Sequence, residues 1–249
     1  MEDPALEAAI VTALPLELAP VTARWGVGRP EPGRIYRGVS PGGRRLAAVC
    51  TGPGTIDAAL GITSLLERVN PPVVFAGGIA GGIVAGAGTV VLARSVGFYD
   101  VDLTGLGIPA GVLHRGAAPN LEAASPNRAV SQSLLEEALL SAQISTPEDI
   151  PLVVGTGLIL SGDCFLDARL RQELPRVWQE RIAGAEAVDM ESAAWGTVLH
   201  RAGVPWSILR YISDEVSGDR RLPFPAACAA AGEILTVYAD FFLSHPDRS

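Results

Sequence analysis

The chain has 249 residues, of which 48% are hydrophobic, and a formal net charge of −8 at pH 7. Its 19 basic residues are all arginines, which excludes the Schiff-base and phosphate-loop chemistries that need a lysine amine. The acidic balance argues against a nucleic-acid surface. The length suits a single α/β domain over residues 1–249, with a core at about 9–243.

The amino-terminal composition and the cysteines predict where the protein resides. Residues 1–7 are acidic and lack the basic and apolar regions of a secretory signal, and no apolar run approaches the roughly 20 residues that span a bilayer. We therefore expect a cytoplasmic protein without a membrane segment. Three cysteines are scattered without a C-x-x-C spacing: Cys50, Cys164 and Cys228. We expect them to be reduced and buried, without a disulfide or zinc.

Strand-like and helix-like segments alternate along the chain. Predicted strands cover 7–13, 34–39, 45–51, 73–76, 89–96, 151–160 and 204–212. One predicted helix begins at 14, and the others cover 55–69, 128–142, 167–174, 189–202 and 226–243. This alternation predicts a single-domain, three-layer α/β/α fold in which a twisted mixed sheet, largely parallel, lies between helices.

Three acidic residues lie at predicted strand ends or helix starts. Glu17 follows the first strand, Glu191 lies in the first turn of a helix, and Asp214 comes directly after the apolar strand 204–212. Each alone is typical of a helix first turn or a turn. Ligands in open α/β sheets bind beyond the carboxyl ends of the strands, so we expect the three to share a pocket. Arg210 interrupts the apolar strand and needs a carboxylate partner, for which Asp189 or Glu191 is suited.

Other motifs exclude several classes of enzyme. The Gly-Pro-Gly of 52–54 lacks the third glycine of a dinucleotide fingerprint, because Asp57 occupies that position. The glycine-rich turn predicted at 77–82 can cradle a sugar or phosphate, or can allow tight packing. No histidine accompanies a G-x-S-x-G motif, so a serine-hydrolase triad is not expected. Asp100 and Asp102 lack a third ligand nearby, so we expect neither a metal nor a cofactor.

Seven motifs, in chain order, resemble those of the 5′-methylthioadenosine/S-adenosylhomocysteine nucleosidases of the nucleoside phosphorylase superfamily. The most specific pair is Val-Asp-Met-Glu at 188–191 with Arg-Tyr-Ile-Ser-Asp at 210–214. The others lie at 13–17, 52–54, 78–82, 99–107 and 161–165. The resemblance spans about residues 9 to 240 and implies a nucleoside phosphorylase-like fold.

The resemblance implies hydrolysis of the N-ribosidic bond of 5′-methylthioadenosine, S-adenosylhomocysteine or a related 5′-substituted adenosine, with release of adenine. Glu17 would activate water, and Asp214 would assist departure of the base. The implied substrate-binding residues are Leu14, Pro53, Ile79, Phe165, Leu166, Asp189, Met190, Glu191, Arg210 and Ser213. The resemblance also implies a homodimer, in which the apolar loop 98–113 reaches the neighbouring subunit's 5′ pocket and Leu106, Ile108 and His114 shape that pocket.

The chain departs from the family pattern mainly around the sugar and the 5′ pocket. Asp189 replaces a glutamate, Ile79 a serine, Leu106 and Ile108 aromatic residues, and His114 a proline. Three alternatives therefore stay open: a hydrolase of futalosine-type nucleosides, a purine nucleoside phosphorylase, and a non-catalytic nucleoside-binding module. A phosphorylase would need arginines around its phosphate, yet the residues before the glycine-rich segment, 74–76, are apolar.

Overall fold

The computed structural model describes residues 6–26, 31–40, 42–113, 118, 120–122, 132–142, 144, 146–147 and 150–245. The strands in this part of the chain are β1 (Ala8–Thr12), β2 (Ile35–Val39), β3 (Arg45–Cys50), β4 (Val74–Gly82), β5 (Thr89–Phe98), β6 (Asn120–Glu122), β7 (Val153–Ser161), β8 (Ala187–Asp189) and β9 (Trp206–Glu215). The helices are α1 (Pro15–Trp25), α2 (Thr55–Val69), α3 (Gln132–Ala142), α4 (Ala168–Glu173), α5 (Arg176–Ile182), α6 (Ser192–Ala202) and α7 (Phe224–Ser244). A short 3₁₀ helix covers Thr104–Leu106.

The sheet is buried on both faces, which explains why its strands are apolar without alternation. Along β1, Ala8 and Ile10 pack into one core cluster, whereas Ala9 and Val11 pack into the other. Successive side chains of a strand point to opposite faces, so each face must be covered by its own layer. Helices α1, α3 and α7 cover the first face, and α2 and α6 cover the second. The predicted layered α/β fold is confirmed.

The sheet is mixed, and part of it closes on itself. Its main path runs β2-β3-β1-β4-β8-β7-β5-β6, while β9 pairs with both β4 and β5. Five strands thus form a ring in which each pairs with two other members of the ring: β4, β9, β5, β7 and β8. Main-chain hydrogen bonds around this ring fix the relative positions of β4, β8 and β9.

Two strands extend further than the sequence predicted. β4 continues through the glycine-rich segment 77–82, which was expected to be a turn, and this segment pairs with both β9 and β8. β9 reaches Glu215, so Ser213 and Asp214 lie within a strand and not after one. Hydrogen bonds between β4 and β9 extend both strands. Strand propensity read from the local sequence does not include such pairing between distant segments.

The segment around Asp189 also differs from the prediction. Ala187–Asp189 is a short strand that pairs with β4 and β7, and the helix begins only at Ser192, with Glu191 as its N-cap residue. Helix α5, over Arg176–Ile182, was not predicted because its seven residues are largely polar. The predicted end of α6 at Gly203 is confirmed by a left-handed backbone there, with φ of 69°.

Helix α7 corrects the expectation that no apolar segment reaches membrane-spanning length. Among the described residues it is the one helix long and apolar enough for a bilayer, with 21 residues and a mean hydropathy of 1.4 over its most apolar window. Its buried side chains, including Ile234, Leu235 and Tyr238, belong to the core cluster on the α1 side of the sheet. Such burial is typical of a core helix.

Candidate active site

A single pocket gathers most of the predicted site residues at the carboxyl ends of β1, β4 and β9. Its lining consists of Ala13, Leu14, Glu17, Pro53, Ile79, Ala80, Gly81, Cys164, Phe165, Leu166, Val188, Asp189, Met190, Glu191, Ser213, Asp214, Arg221, Leu222 and Phe224. The predicted convergence of Glu17, Glu191 and Asp214 is thus observed in the structure. Arg210 lies behind this lining, fully buried.

Glu17 is a buried carboxylate held by three backbone N–H groups. Pro15 starts α1, which places Glu17 in the first turn, where the helix dipole favours a negative charge. Its Oε2 accepts from Ala13 N at 3.1 Å and from Leu14 N at 2.9 Å, and its Oε1 accepts from Ile79 N at 2.9 Å. Burial raises the pKa of Glu17, while Arg210 and these three donors oppose the rise. The carboxylate therefore has a fixed orientation.

A glycine is needed at position 78 to admit this carboxylate. A Cβ atom there would lie 2.3 Å from Glu17 Oε1, far inside van der Waals contact. Glu17 could not move aside without losing its three backbone donors. The glycine-rich part of β4 thus serves the close approach of a side chain from α1.

Arg210 is the buried cation of the site. Its Nε lies 2.7 Å from Asp189 Oδ2, and its Nη2 lies 3.0 Å from Glu191 Oε2. Nη1 donates to the carbonyl of Ile79 at 3.2 Å, and the guanidinium stacks 4.8 Å above the Trp195 ring. Arg210 therefore pairs with both of the carboxylates that the sequence offered as alternatives. A buried charge is tolerated only when it is paired in this way.

Asp189 joins this cation to the start of α6. Its carboxylate accepts hydrogen bonds from the hydroxyls of Ser161 and Ser192 and from the backbone N–H groups of Glu191 and Ser192, each at 3.2 Å. These bonds satisfy N–H groups that the start of a helix leaves without partners. Asp189 thus fixes the backbone that carries Glu191. Although its side chain is shorter than the glutamate of the family pattern, it still reaches Arg210.

Glu191 connects the Arg210 cluster to the loop after β3. Its Oε1 accepts a hydrogen bond from Gly54 N at 3.1 Å, which anchors the loop that presents Pro53 to the pocket. Gly54 has a φ of +91°, a conformation that side chains disfavour. Burial raises the pKa of Glu191 to about 7; Arg210 opposes the rise, and the nearby Asp189 carboxylate adds to it.

Asp214 and Phe165 lie at another part of the pocket wall. Asp214 Oδ1 accepts a hydrogen bond of 2.6 Å from the Ser213 hydroxyl. Phe165 is 60% exposed although it is aromatic, so its ring is available to a ligand. Leu166 is buried beside it. A carboxylate and an exposed aromatic ring in one pocket suit a flat heteroaromatic group that carries hydrogen-bonding atoms.

Some predicted residues do not belong to this pocket. Leu106 is 65% exposed and Ile108 is buried, but neither lines the pocket, while His114 lies outside the described residues. Conversely, sequence reasoning missed Arg221, Leu222 and Phe224, which reach the pocket from the segment after β9. It also expected three buried cysteines, yet Cys164 is exposed and lines the pocket, because it occupies the loop that presents Phe165.

Comparisons with known proteins agree with this architecture. The sequence profile of the phosphorylase superfamily matches residues 7–235. The fold is similar to the futalosine hydrolase of Helicobacter pylori strain 26695, with a TM-score of 0.75, 24% identity, and coverage of 95% of this chain and 98% of that one. It is also similar to the Helicobacter pylori 5′-methylthioadenosine/S-adenosylhomocysteine nucleosidase bound to butyl-thio-DADMe-Immucillin-A, with a TM-score of 0.75, 23% identity, and coverage of 96% and 99%. For the Streptococcus pyogenes S-adenosylhomocysteine nucleosidase in complex with 5-methylthiotubericidin, the TM-score is 0.75 at 22% identity, with coverage of 96% and 98%.

Proposed function

Because the chain belongs to the phosphorylase superfamily, we propose that it is a purine nucleosidase. It hydrolyses the N-ribosidic bond of 5′-methylthioadenosine, S-adenosylhomocysteine or a related 5′-substituted adenosine and releases adenine. The observation that carries this proposal is the presence of two carboxylates in one pocket, Glu17 held by three N–H groups and Asp214 paired with a serine hydroxyl. Glycoside hydrolysis generally uses two carboxyl groups in different roles.

Asp214 serves the leaving base in this mechanism. A purine departs from the ribosyl cation readily only when its N7 gains a proton, and positioned proton transfer contributes about 10² to 10⁴ in rate. Asp214 delivers that proton, directly or through water, while the Ser213 hydroxyl orients the carboxylate at 2.6 Å. The exposed ring of Phe165 stacks on the base.

Glu191 serves the ribose. Carboxylate oxygens accept hydrogen bonds from sugar hydroxyls, and Glu191 lines the pocket beside Met190. Arg210 and Gly54 N hold the two oxygens of Glu191 at 3.0 and 3.1 Å, so the carboxylate is oriented before the substrate arrives. Arg210 and Asp189 are positioning residues, because they act through Glu191.

Glu17 orients the attacking water. A carboxylate has about four acceptor positions, and three of those on Glu17 are taken by backbone donors, two on Oε2 and one on Oε1. The position left on Oε1 accepts from water. The negative charge of Glu17 also stabilises the ribosyl cation that develops in the transition state.

Water suits this pocket better than phosphate does. Phosphate carries about two negative charges near neutral pH and needs arginines or amides to hold it beside an ionised carboxylate. Arg210 is already committed to two carboxylates and a backbone carbonyl, and Arg221 lies beside Asp214 and Phe165, which this mechanism assigns to the base. Residues 74–76, which precede the glycine-rich part of β4, are apolar and buried. These features favour hydrolysis over phosphorolysis.

The test measures base release from 5′-methylthioadenosine in phosphate-free buffer, with identification of the sugar product. We expect full activity and free 5-methylthioribose, and Glu17→Gln should lower kcat by at least about 10². The matched control is Glu173→Gln, which removes a glutamate from an exposed surface ion pair with Arg169. Strict dependence on phosphate, with a ribose 1-phosphate product, would instead identify a phosphorylase. Binding of the nucleoside without any base release would indicate a non-catalytic module.

Futalosine-type nucleosides remain the second candidate substrates. The observation that favours them is the similarity to a futalosine hydrolase, which has the same TM-score as the nucleosidase from the same organism. Assays of futalosine beside 5′-methylthioadenosine, which differ in both the base and the 5′-substituent, separate the two. A kcat/KM for futalosine above that for 5′-methylthioadenosine would assign the second function.

A homodimer is the assembly that we propose. Apolar side chains project from α2 and from the segment after β5, where Ile56, Leu60, Leu106 and Leu113 are 72, 63, 65 and 48% exposed. Apolar surface of this extent is typical of an interface. Leu60→Glu should shift the mass in sedimentation from two chains to one. A monomeric wild-type protein with full activity at micromolar concentration would contradict the proposal.

A further inference from the structure

Arg221 is a pocket residue whose backbone is fixed beside Asp214. After β9 the chain turns at 216–219 and returns, so that Arg221 forms an antiparallel bridge with Asp214. The next residue continues this pairing, because Leu222 N donates to the carbonyl of Ser213 at 2.7 Å. The main chain thus holds Arg221 next to the carboxylate that the proposed mechanism assigns to the base.

The Arg221 guanidinium faces the pocket without a counter-charge. Its Cζ atom lies 5.7 Å from the centre of the Phe165 ring, and both residues line the pocket. Within the described part of the chain, no carboxylate lies within ion-pairing distance of Arg221, whereas Arg210 engages two. An arginine has five N–H donors and no acceptor. Its natural complement in the pocket is therefore an acceptor atom of the ligand.

The groups around Arg221 determine which acceptor this is. Under the proposed function, Phe165 and Asp214 contact the purine. The acceptor oxygens of Asp214 complement a 6-amino group, which donates hydrogen bonds. A 6-oxo group would instead set acceptor against acceptor. A donor on the same wall of the pocket removes this conflict, and a guanidinium is an always-charged donor.

From the position of the Arg221 guanidinium over Phe165 and beside Asp214, we infer that Arg221 is a specificity-determining residue. It donates a hydrogen bond to the 6-oxo group of a purine, so the pocket accepts 6-oxopurine nucleosides in addition to 6-aminopurine nucleosides. This inference rests on the proposed nucleosidase function and deepens it, because it names the class of base.

The test compares two substrates that differ only at position 6, 5′-methylthioinosine and 5′-methylthioadenosine. Wild type should cleave both. Arg221→Met keeps the apolar stem and removes the donors, so kcat/KM for the 6-oxo nucleoside should fall at least about tenfold, the effect of a lost charge-assisted hydrogen bond. The value for the 6-amino nucleoside should change less than about threefold. Arg220→Met, at the exposed neighbour in the same loop, is the matched control and should leave the ratio unchanged.

The two substrates also distinguish the possible failures. An equal fall for both nucleosides in Arg221→Met would show a general structural role and overturn the inference, as would an unchanged ratio. Cleavage of only the 6-amino nucleoside by wild type would overturn it too. If wild type cleaves neither nucleoside, the proposed function itself fails. Dissociation constants for hypoxanthine and adenine provide a second readout, in which Arg221→Met should weaken the binding of hypoxanthine and leave that of adenine unchanged.

Discussion

Replacing Arg210 with methionine removes a cation that contacts both Asp189 and Glu191, while roughly preserving side-chain volume. Arg210 lies 2.7 Å from Asp189 and 3.0 Å from Glu191, and the side chains of all three are at least 93% buried. Removing one partner of such a buried pair costs about 3 to 5 kcal/mol of unfolding free energy. At about 2 to 4 °C per kcal/mol for a chain of this size, Tm should fall by roughly 6 to 20 °C.

The loss of stability should depend on pH. The pKa of Glu191 is already raised by burial from 4.5 to about 7, and without Arg210 it should rise further. A carboxyl group with a higher pKa in the folded state binds more protons folded than unfolded, so its contribution is most favourable at low pH and declines as pH rises above 4.5. The Tm deficit of Arg210→Met should therefore be larger at pH 8 than at pH 5.

Thermal unfolding followed by circular dichroism at both pH values measures these effects. The control variant is Arg24→Met, because Arg24 forms a 2.8 Å ion pair with Glu233 that is about one third exposed; such pairs contribute about 0 to 1 kcal/mol. The double variant Arg210→Met/Glu191→Gln should recover part of the lost Tm, since it removes one unpaired charge. A Tm for Arg210→Met within about 2 °C of wild type at pH 8, or a larger deficit at pH 5, would refute the reasoning.

Three further predictions concern the pocket. Asp214→Asn should lower kcat for adenine release by a factor of at least about 10². Near-normal turnover in this variant would contradict the proposed role of Asp214 as an acid. In the proposed mechanism the ionised form of Glu191 accepts the ribose hydroxyls, so kcat/KM should fall as pH drops through about 7, and a profile unchanged in Glu191→Gln would contradict this. Iodoacetamide should alkylate the exposed Cys164, and bound nucleoside should protect it. The buried Cys50 and Cys228 should be spared, because burial raises the pKa of their thiols to about 11 and about 12. Peptide mass spectrometry measures the labelling at the three sites, and equal labelling would contradict the prediction.

The convergence of Glu17 and Asp214 could be predicted because it depends on local signals. Apolar runs mark the strands, Pro15 and the acidic first turn mark the start of α1, and parallel strands bring their carboxyl ends to one edge. The partner of Arg210 was predictable for a similar reason, since a buried guanidinium requires a carboxylate and two lay in the adjacent motif.

The parts that escaped prediction depend on contacts between distant segments. Nothing near Arg221 in the sequence shows that its backbone pairs with Asp214, so its place in the pocket was missed. The strand character of residues 77–82 likewise comes from pairing with β9 and β8. The predicted contribution of Leu106 and Ile108 involves a second copy of the chain and stays a prediction.

The closed ring of strands divides the protein into a rigid part and an exchangeable part. Glu191 and Asp214 are attached to strands whose neighbours are fixed through main-chain hydrogen bonds, which side-chain substitutions do not remove. Pro53 and Arg221, by contrast, reach the same pocket from connecting segments outside the ring. Loops can be redesigned more freely than paired strands. Replacing these segments should therefore change which ligands the pocket accepts, while Glu191 and Asp214 keep their positions on the ring and Glu17 keeps its hydrogen bond to Ile79 N of β4.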